Sequence, residues 1–245
     1  MNLIRVVGAA MAATAVCCAP SALAQTFVVD ARSNIFGAGH ETPPNPLGTG
    51  AGVLPVRVAL EALAGPALEF GGPSGGVLGQ VRSHPLAAWN GPDGRSGRTT
   101  DVWSLGSVSG IVHENRVMFL AGVFLDEGLE GVPAPVRLDV TTLSEAAVLS
   151  PVLGQTFFVG DGRDDAGDVQ RFDVPAHATA LYLGFVDAYW FGSAPGDSRG
   201  ALPGSYDDNE GALTVGVTSV PAPGGVALAL GALTGLARRR RAARG

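Results

Sequence analysis

The chain places a turn, a group of oxygen ligands and the start of a strand in one segment, Leu202-Pro-Gly-Ser-Tyr-Asp-Asp-Asn-Glu-Gly-Ala-Leu-Thr-Val215. Pro203-Gly204 indicates the turn, and Gly211 permits a sharp exit from it. Alternating apolar residues from Ala212 onward predict the strand. An oxygen-only ligand set favours a hard cation, and calcium suits it better than magnesium. The three side-chain oxygen donors are Asp207, Asp208 and Asn209. A solvated acidic turn is an equally open interpretation of this composition.

Outward from this segment, the chain reads as many short strands separated by Gly and Pro. Turn clusters stand at residues 71–76 and 90–94, a long loop at 34–52, and one short helix is predicted at 142–148. This pattern predicts an all-β fold, a β-sandwich of jelly-roll type. The strand candidates are residues 26–30, 53–60, 77–81, 101–105, 117–124, 137–140, 155–159, 170–174, 180–186 and 213–220.

The N-terminal residues 1–24 have the features of a secretory signal peptide. Arg5 gives a basic start, an apolar run follows, and Ala22-Leu23-Ala24 is a small-x-small cleavage site for signal peptidase. Both cysteines, Cys17 and Cys18, lie in this segment. We therefore expect an exported domain, residues 25–219, without disulfides or thiolate metal ligands.

The C-terminal residues 220–245 combine a Val-Pro-Ala-Pro motif, an apolar run at 226–237 and the arginine cluster 238–241. The run is short for a stable membrane span, which needs about 20 residues. The three features together resemble the PEP-CTERM sorting tails of bacterial proteins. The resemblance implies transient anchoring in the inner membrane, removal by an exosortase, and delivery to the cell surface or extracellular matrix.

The expected domain is strongly acidic once both tails are set aside. Residues 25–220 hold ten arginines, no lysine and 22 acids, which gives a formal charge of −12. This charge argues against nucleic acid as a partner and is compatible with a divalent cation or neutral sugars. A role of the acids in solubility alone explains the charge equally well.

Other clusters of polar residues give no catalytic set, so we expect a binding protein rather than an enzyme. The acidic segment 161–168 lacks the spacing of an EF-hand and favours a solvated hairpin. The pairs His40-Glu41 and His113-Glu114 lack a second zinc-binding histidine, and surface histidines are expected. A glycan hydrolase stays open as a rival, because it would need two carboxylates about 5–10 Å apart. The candidates are Asp161, Asp164 and Asp165.

Two stretches, residues 170–187 and 202–215, resemble the calcium-dependent galactose-binding lectins of the PA-IL type. In that family an Asp ends one strand, and a Pro-Gly-x-Tyr-x-Asn-Asn-x-Gly loop follows. The resemblance implies a jelly roll in which one calcium bridges the protein and sugar hydroxyls. The implied ligands are the side chains of Asp187, Asp208 and Asn209 and the backbone carbonyl of Ser205. Residues 90–94 resemble a Gly-Pro-x-Gly turn of the same lectins, and this resemblance implies the backbone carbonyl of His84 as a further ligand.

The chain also departs from these lectins. Residues 188–201 are an insertion after Asp187, which either extends or caps the sugar site. The lectin residues that contact galactose fall near Arg98 and Asp101, so galactose specificity is not implied. Aromatic rings after Asp187 suit stacking on a sugar. The sugar-binding set is therefore predicted as Asp187, Tyr189, Trp190, Asp208 and Asn209, with Phe191 as a further stacking candidate. The alternative is a matrix protein in which calcium only stabilises the loop.

Overall fold

The computed structural model describes residues 23–63, 65–80, 88–127, 131–142, 146–192, 194, 196–197 and 200–221. Within these ranges the regular structure consists of fourteen β-strands and three one-turn 3-10 helices. The helices cover Ile35–Gly37, Leu60–Ala62 and Tyr206–Asp208. The prediction of an all-β fold is confirmed.

The larger sheet has five strands in the order β1-β14-β3-β12-β10. Strand β14 is antiparallel to both β1 and β3, so the last of the described strands lies beside the first of them. Only β10 and β12 pair in parallel within this sheet. The bounds are β1 (Ala24–Asp30), β3 (Ala67–Leu78), β10 (Val148–Leu149), β12 (Arg171–Asp173) and β14 (Glu210–Val220).

The second sheet has four antiparallel strands in the order β11-β8-β13-β2. Every residue of β8 and β13 is buried, because both faces of these strands are covered. One face shares a core with the larger sheet, which includes Phe124, Phe172 and Leu213. The other face packs against Ile35 and Phe36. The bounds are β2 (Val56–Ala59), β8 (Leu120–Leu125), β11 (Thr156–Phe158) and β13 (Ala180–Phe185).

Two small sheets complete the described strands. One pairs β4 (Arg95–Ser96) with β7 (Arg116–Val117). The other has the order β5-β6-β9, and its bounds are β5 (Thr100–Val102), β6 (Ile111–His113) and β9 (Leu138–Asp139). Val102 and Ile111 join the second core cluster, so the three-stranded sheet helps to cover the outer face of the four-stranded sheet.

The turn predicted at residues 71–76 is wrong, because this glycine-rich stretch lies inside β3. It pairs with β14 across a register shift between Thr214 and Gly216. The Trp89 indole lies against the paired backbone: a Cβ on Gly76 would stand 3.3 Å from the ring, and one on Gly211 only 2.7 Å. Glycine prefers turns locally. Here that preference is overridden, because the stretch pairs with the long strand β14 and Trp89 packs over it.

Other predicted segments fall partly or wholly outside the described residues. The helix predicted at 142–148 has its centre, 143–145, outside them, and its last residue, Val148, belongs to β10. The predicted signal peptide and sorting tail lie outside except at their inner ends, where Ala24 begins β1 and Val220 ends β14. No helix in the described part of the chain is long and apolar enough to cross a membrane.

Candidate functional site

The predicted ligands lie at the end of β13 and the beginning of β14. Asp187 follows β13, and the segment 202–209 leads into β14. The two ends of the insertion, residues 188–201, lie side by side, because Ala188 forms an antiparallel bridge with Pro203. The Gly204 N–H donates to the Asp187 carbonyl at 3.2 Å. Asp187 and the ligand loop, defined as residues 203–209, are therefore neighbours despite the insertion.

The Asp187 carboxylate accepts two hydrogen bonds. One comes from the Ala188 N–H at 2.7 Å, and the other from Asn209 Nδ2 at 2.8 Å. Asn209 Nδ2 also donates to the Ala31 carbonyl at 3.2 Å, which fixes the orientation of the amide. Its other end, Oδ1, is buried and has no hydrogen-bond partner among the described residues. The site thus contains an oxygen acceptor with unused capacity.

The electrostatics of Asp187 are those of a carboxylate without a counter-charge. Its side chain is almost wholly buried, with 2% exposed, and the described part of the chain brings no arginine or histidine to it. Burial, with a smaller contribution from the nearby charge of Asp208, raises the pKa of Asp187 to about 8. The hydrogen bonds from Asn209 and Ala188 act in the opposite direction. A pKa of about 8 keeps this carboxyl largely protonated at neutral pH, and a cation at this place would favour its ionised form.

Tyr206 supports the Asp187 backbone from within the loop. Its hydroxyl donates to the Phe185 carbonyl and accepts from the Asp187 N–H, both at 3.1 Å. The ring is completely buried, and burial raises the pKa of Tyr206 well above its ordinary value. The hydroxyl is therefore a neutral link between the end of β13 and the loop. The acids of the loop indicate metal ligands, whereas no local sequence pattern indicates this role of Tyr206.

The N-terminal segment 49–52 holds the outer side of the ligand loop. Thr49 Oγ1 accepts from the Ser205 N–H at 3.2 Å, and the Gly50 carbonyl accepts from the Tyr206 N–H at 3.3 Å. The Gly52 N–H donates to the carboxylate of Asp207 at 2.9 Å. Asp207 is thus used in holding the loop. The sequence showed only a long Gly- and Pro-rich loop here, because a local pattern cannot identify a partner more than 150 residues away.

The predicted ligands offer the types of oxygen atom that calcium binds. Asp187, half-buried Asp208 and the free Asn209 Oδ1 supply carboxylate and amide oxygens, and Ser205 adds a carbonyl in a left-handed conformation at φ 69°. No group of three His, Cys, Asp or Glu side chains in the described residues could hold a metal. The predicted set does not require one, because amide and backbone oxygens complete it. His84 lies outside the described residues.

The aromatic residues after Asp187 differ in exposure. Tyr189 is 72% exposed, Trp190 is half-buried, and Phe191 packs against both core clusters. The insertion contacts the region of β5 at two places: Gly192 N–H donates to the Thr99 carbonyl at 3.0 Å, and Ala201 forms a parallel bridge with Val102. Tyr189 is the one of the three that offers most of its ring to solvent.

No family model, curated protein or solved structure matches this chain. The interpretation of the site therefore depends on the geometry described above and on the resemblance in the loop sequence.

The acidic segment 161–168 forms a closed hairpin. Arg163 and Val169 form an antiparallel bridge, and the Asp164 carboxylate accepts from the N–H groups of Ala166 and Asp168. Asp161 likewise accepts from the Arg163 N–H. These carboxylates form turns on their own loop, which agrees with the solvated hairpin favoured by the sequence.

The expectation that His113 lies at the surface is wrong. The side chain is 4% exposed and lies between Phe119 and Phe158, with ring centroids 5.8 and 5.7 Å away. Its Nε2 has no hydrogen-bond partner in the described structure. Burial lowers the pKa of His113 to about 4, with a smaller contribution from Arg116. The residue is a neutral core histidine, and its place in the short strand β6 accounts for the burial.

An open cleft of about 660 Å³ is lined by residues outside the ligand loop. Glu127 lies in its wall and is held by Arg57 through contacts of 2.7 and 2.6 Å and by the Tyr182 hydroxyl. The ion pair with Arg57 lowers the pKa of Glu127 to about 2. None of the predicted calcium or sugar ligands that the structure describes lines this cleft.

Proposed function

We propose that the protein binds calcium at the ligand loop and uses this site to bind carbohydrate. The observation that carries the proposal is the contact between Asp187 and Asn209. It joins a buried carboxylate without a cation to an amide whose Oδ1 is buried and has no partner. Buried charges and buried acceptors are normally satisfied, so a ligand explains both atoms at once.

Four residues would hold the ion: Asp187, Ser205, Asp208 and Asn209. A bound calcium would supply coordination positions for two vicinal sugar hydroxyls. Asp187 is kept in place by Tyr206, and Ser205 by Thr49, so the chain fixes the ligands before any ion arrives. Tyr189 offers an exposed ring for stacking on the apolar face of a sugar, and Trp190 a smaller surface.

A specific observation also favours the structural alternative. Asp187 and Asn209 are 2% and 4% exposed, so an ion bound between them would be largely covered by protein. In that case calcium would stabilise the loop of a matrix protein and would contact no sugar. Half-buried Asp208 and Ser205 are the ligands with access to solvent, and they favour the lectin-like function.

We further propose a jelly-roll connectivity for the two main sheets, supported by their shared core and the pairing of β14 with β1.

The signal peptide, residues 1–24, and the sorting tail, residues 220–245, support export to the bacterial cell surface or matrix. Mass spectrometry of the exported protein would show whether signal peptidase and an exosortase remove them.

A glycan array probed with calcium and with a chelator tests the proposal. Calcium affinity is measured separately by calorimetry. Asp208→Ala removes one side-chain oxygen ligand and should abolish glycan binding, whereas Asp208→Asn keeps an oxygen and should retain weaker binding. Asp165→Ala, on the exposed hairpin, is the matched control.

Three results separate the candidates. Glycan binding that disappears with chelator and with Asp208→Ala supports the lectin-like function. Calcium binding by a folded sample without any glycan binding supports the structural role. Absence of calcium binding contradicts both.

A further inference from the structure

A small pocket of about 40 Å³ lies beside the ligand loop. Leu78 pairs with Glu210 in the β3–β14 ladder, and the chain bends directly afterwards at Gly79 and Gln80, close to Glu210 and the adjacent Asn209. Gly79 and Gln80 line the pocket, as does Phe191, four residues after Asp187. The pocket is therefore next to the proposed calcium ligands, at the beginning of the insertion.

The charge of this pocket is opposite to that of the domain. Among the described residues that line it, the ionisable ones are Arg95 and Arg98 and none is an acid, although acids outnumber arginines by 22 to ten in residues 25–220. Arg98 is half-buried and has no hydrogen bond or ion pair with any described residue. A guanidinium in this position has its donors available for an anion.

The remaining lining groups suit a sugar. The side-chain oxygen of Gln80 is buried and has no hydrogen-bond partner among the described residues, so it can accept from a hydroxyl. Phe191 contributes an aromatic wall. A cation, a hydrogen-bond acceptor and an aromatic ring together match a carbohydrate that carries an acidic group.

The pocket backbone is fixed by close packing. Met118, which lines it, has a left-handed conformation at φ 54°. The Met118 side chain packs directly against the Gly79 backbone. A side chain on Gly79 would prevent this contact, because its Cβ would lie 2.5 Å from Met118 Cγ. Asn90 Nδ2 donates to the Met118 carbonyl at 3.2 Å and holds this conformation. Strained residues of this kind concentrate at ligand sites, where they arrange binding groups in advance.

We propose that this pocket binds the anionic group of an acidic glycan, and that Arg98 is its main anion ligand. The inference rests on the proposed function, since the same glycan would reach the ligand loop with neighbouring hydroxyls. The lectin resemblance does not specify the glycan, and the pocket indicates an acidic one. The anionic group is either a carboxylate, as in a uronic acid, or a sulfate.

The test uses the full chain and three immobilised probes: an oligogalacturonate, its methyl ester and a sulfated galactan. Affinities are measured by surface plasmon resonance at two salt concentrations with calcium present. The oligogalacturonate or the sulfated galactan, whichever carries the preferred group, should bind at least tenfold more tightly than the neutral ester. Its affinity should fall with added salt.

Arg98→Gln should lower the affinity for the acidic probe about tenfold or more, towards that of the neutral ester, with calcium affinity unchanged. Arg98→Lys should restore part of the loss. Arg163→Gln, on the exposed acidic hairpin, is the matched control and should change nothing.

Equal affinity of acidic and neutral probes for the wild-type protein would overturn the inference, whether or not the Arg98 variants fold. An Arg98→Gln variant that binds the acidic probe as well as the wild type would also overturn it. In both cases calcium-dependent binding of the neutral probe would leave the proposed function intact. Loss of all calcium-dependent binding would contradict the two together.

Discussion

Asp187 and Asn209 join the two main sheets at a 2.8 Å hydrogen bond, since Asp187 follows β13 of the four-stranded sheet and Asn209 precedes β14 of the five-stranded sheet. The carboxylate and the amide are both buried. A ligand at this contact would therefore affect the stability of the whole domain.

Asp187→Asn should remove the stabilisation by calcium. For the wild type, calcium at 100 times its dissociation constant should raise the free energy of unfolding by about 3 kcal/mol. The variant lacks the charge that attracts the ion, so its unfolding should become insensitive to calcium. Urea denaturation with and without calcium measures the difference. Asp165→Asn is the control, and an equal gain in Asp187→Asn would contradict the assignment of Asp187 as a ligand.

Tyr206→Phe should destabilise the domain by about 1–3 kcal/mol, because the buried Asp187 N–H and Phe185 carbonyl lose their shared hydroxyl partner. It should also weaken calcium binding through the displaced Asp187 backbone. Thermal unfolding and calcium calorimetry measure the two effects. Tyr189→Phe, at an exposed ring, should leave stability unchanged. Equal stability of Tyr206→Phe and the wild type would show that the hydroxyl bridge is not important.

Gly52→Ala should disrupt the ligand loop. Gly52 has φ +70°, and an added Cβ would lie 2.2 Å from the Arg32 carbonyl and 2.5 Å from Tyr206 Cβ. Gly48→Ala is a matched control, because Gly48 has φ +68° but open space around it. The control should show only the backbone cost of about 1–2 kcal/mol, and Gly52→Ala clearly more. Urea denaturation compares the two variants, and similar losses would mean that the segment does not pack on the loop as described.

Stability should fall between pH 7 and pH 4 through His113. Its pKa is about 4 in the folded state against 6.5 as the ordinary value, so the unfolded state binds more protons in this range. The stabilisation by neutral His113 is complete above pH 6.5 and is lost as the pH falls to about 4. The shift corresponds to about 3 kcal/mol.

His113→Phe should remove this part of the pH dependence while the aromatic packing with Phe119 and Phe158 is kept. The measurement is the free energy of unfolding from pH 7 to pH 4 for both proteins. His40→Gln, at an exposed position, is the control. Parallel curves for the wild type and His113→Phe would contradict the buried neutral histidine.

The sequence predicted the strands whose burial leaves a local pattern. The continuous apolar runs of β8 and β13 and the alternation in β14 are features of this kind. Residues 71–76 were misassigned, because glycine carries no pattern of burial and its pairing with β14 is set by the rest of the sheet. His113 was misjudged for a related reason: polarity alone does not show what packs around a side chain.

Contacts between distant segments were the least predictable part of the candidate site. The resemblance brought Asp187 and Asn209 together, whereas no local pattern links residues 49–52 to the loop. The insertion could be located in the sequence, yet its two contacts near β5 are backbone hydrogen bonds to Thr99 and Asp101, which the sequence does not show. The Arg98 pocket depends on the register of β3 and β14, which a single strand pattern does not give.

The position of β14 also sets the order in which this chain can fold. It is the last strand in the described part of the chain, and both β1 and β3 are hydrogen-bonded to it. A chain that ends before residue 210 lacks the shared partner of both strands, so a partial product cannot assemble the larger sheet. Pairings of such long sequence separation make folding slow, with times of milliseconds to seconds typical of all-β domains. Assembly of the larger sheet is therefore a late event that awaits synthesis of β14, and the ligand loop forms with it.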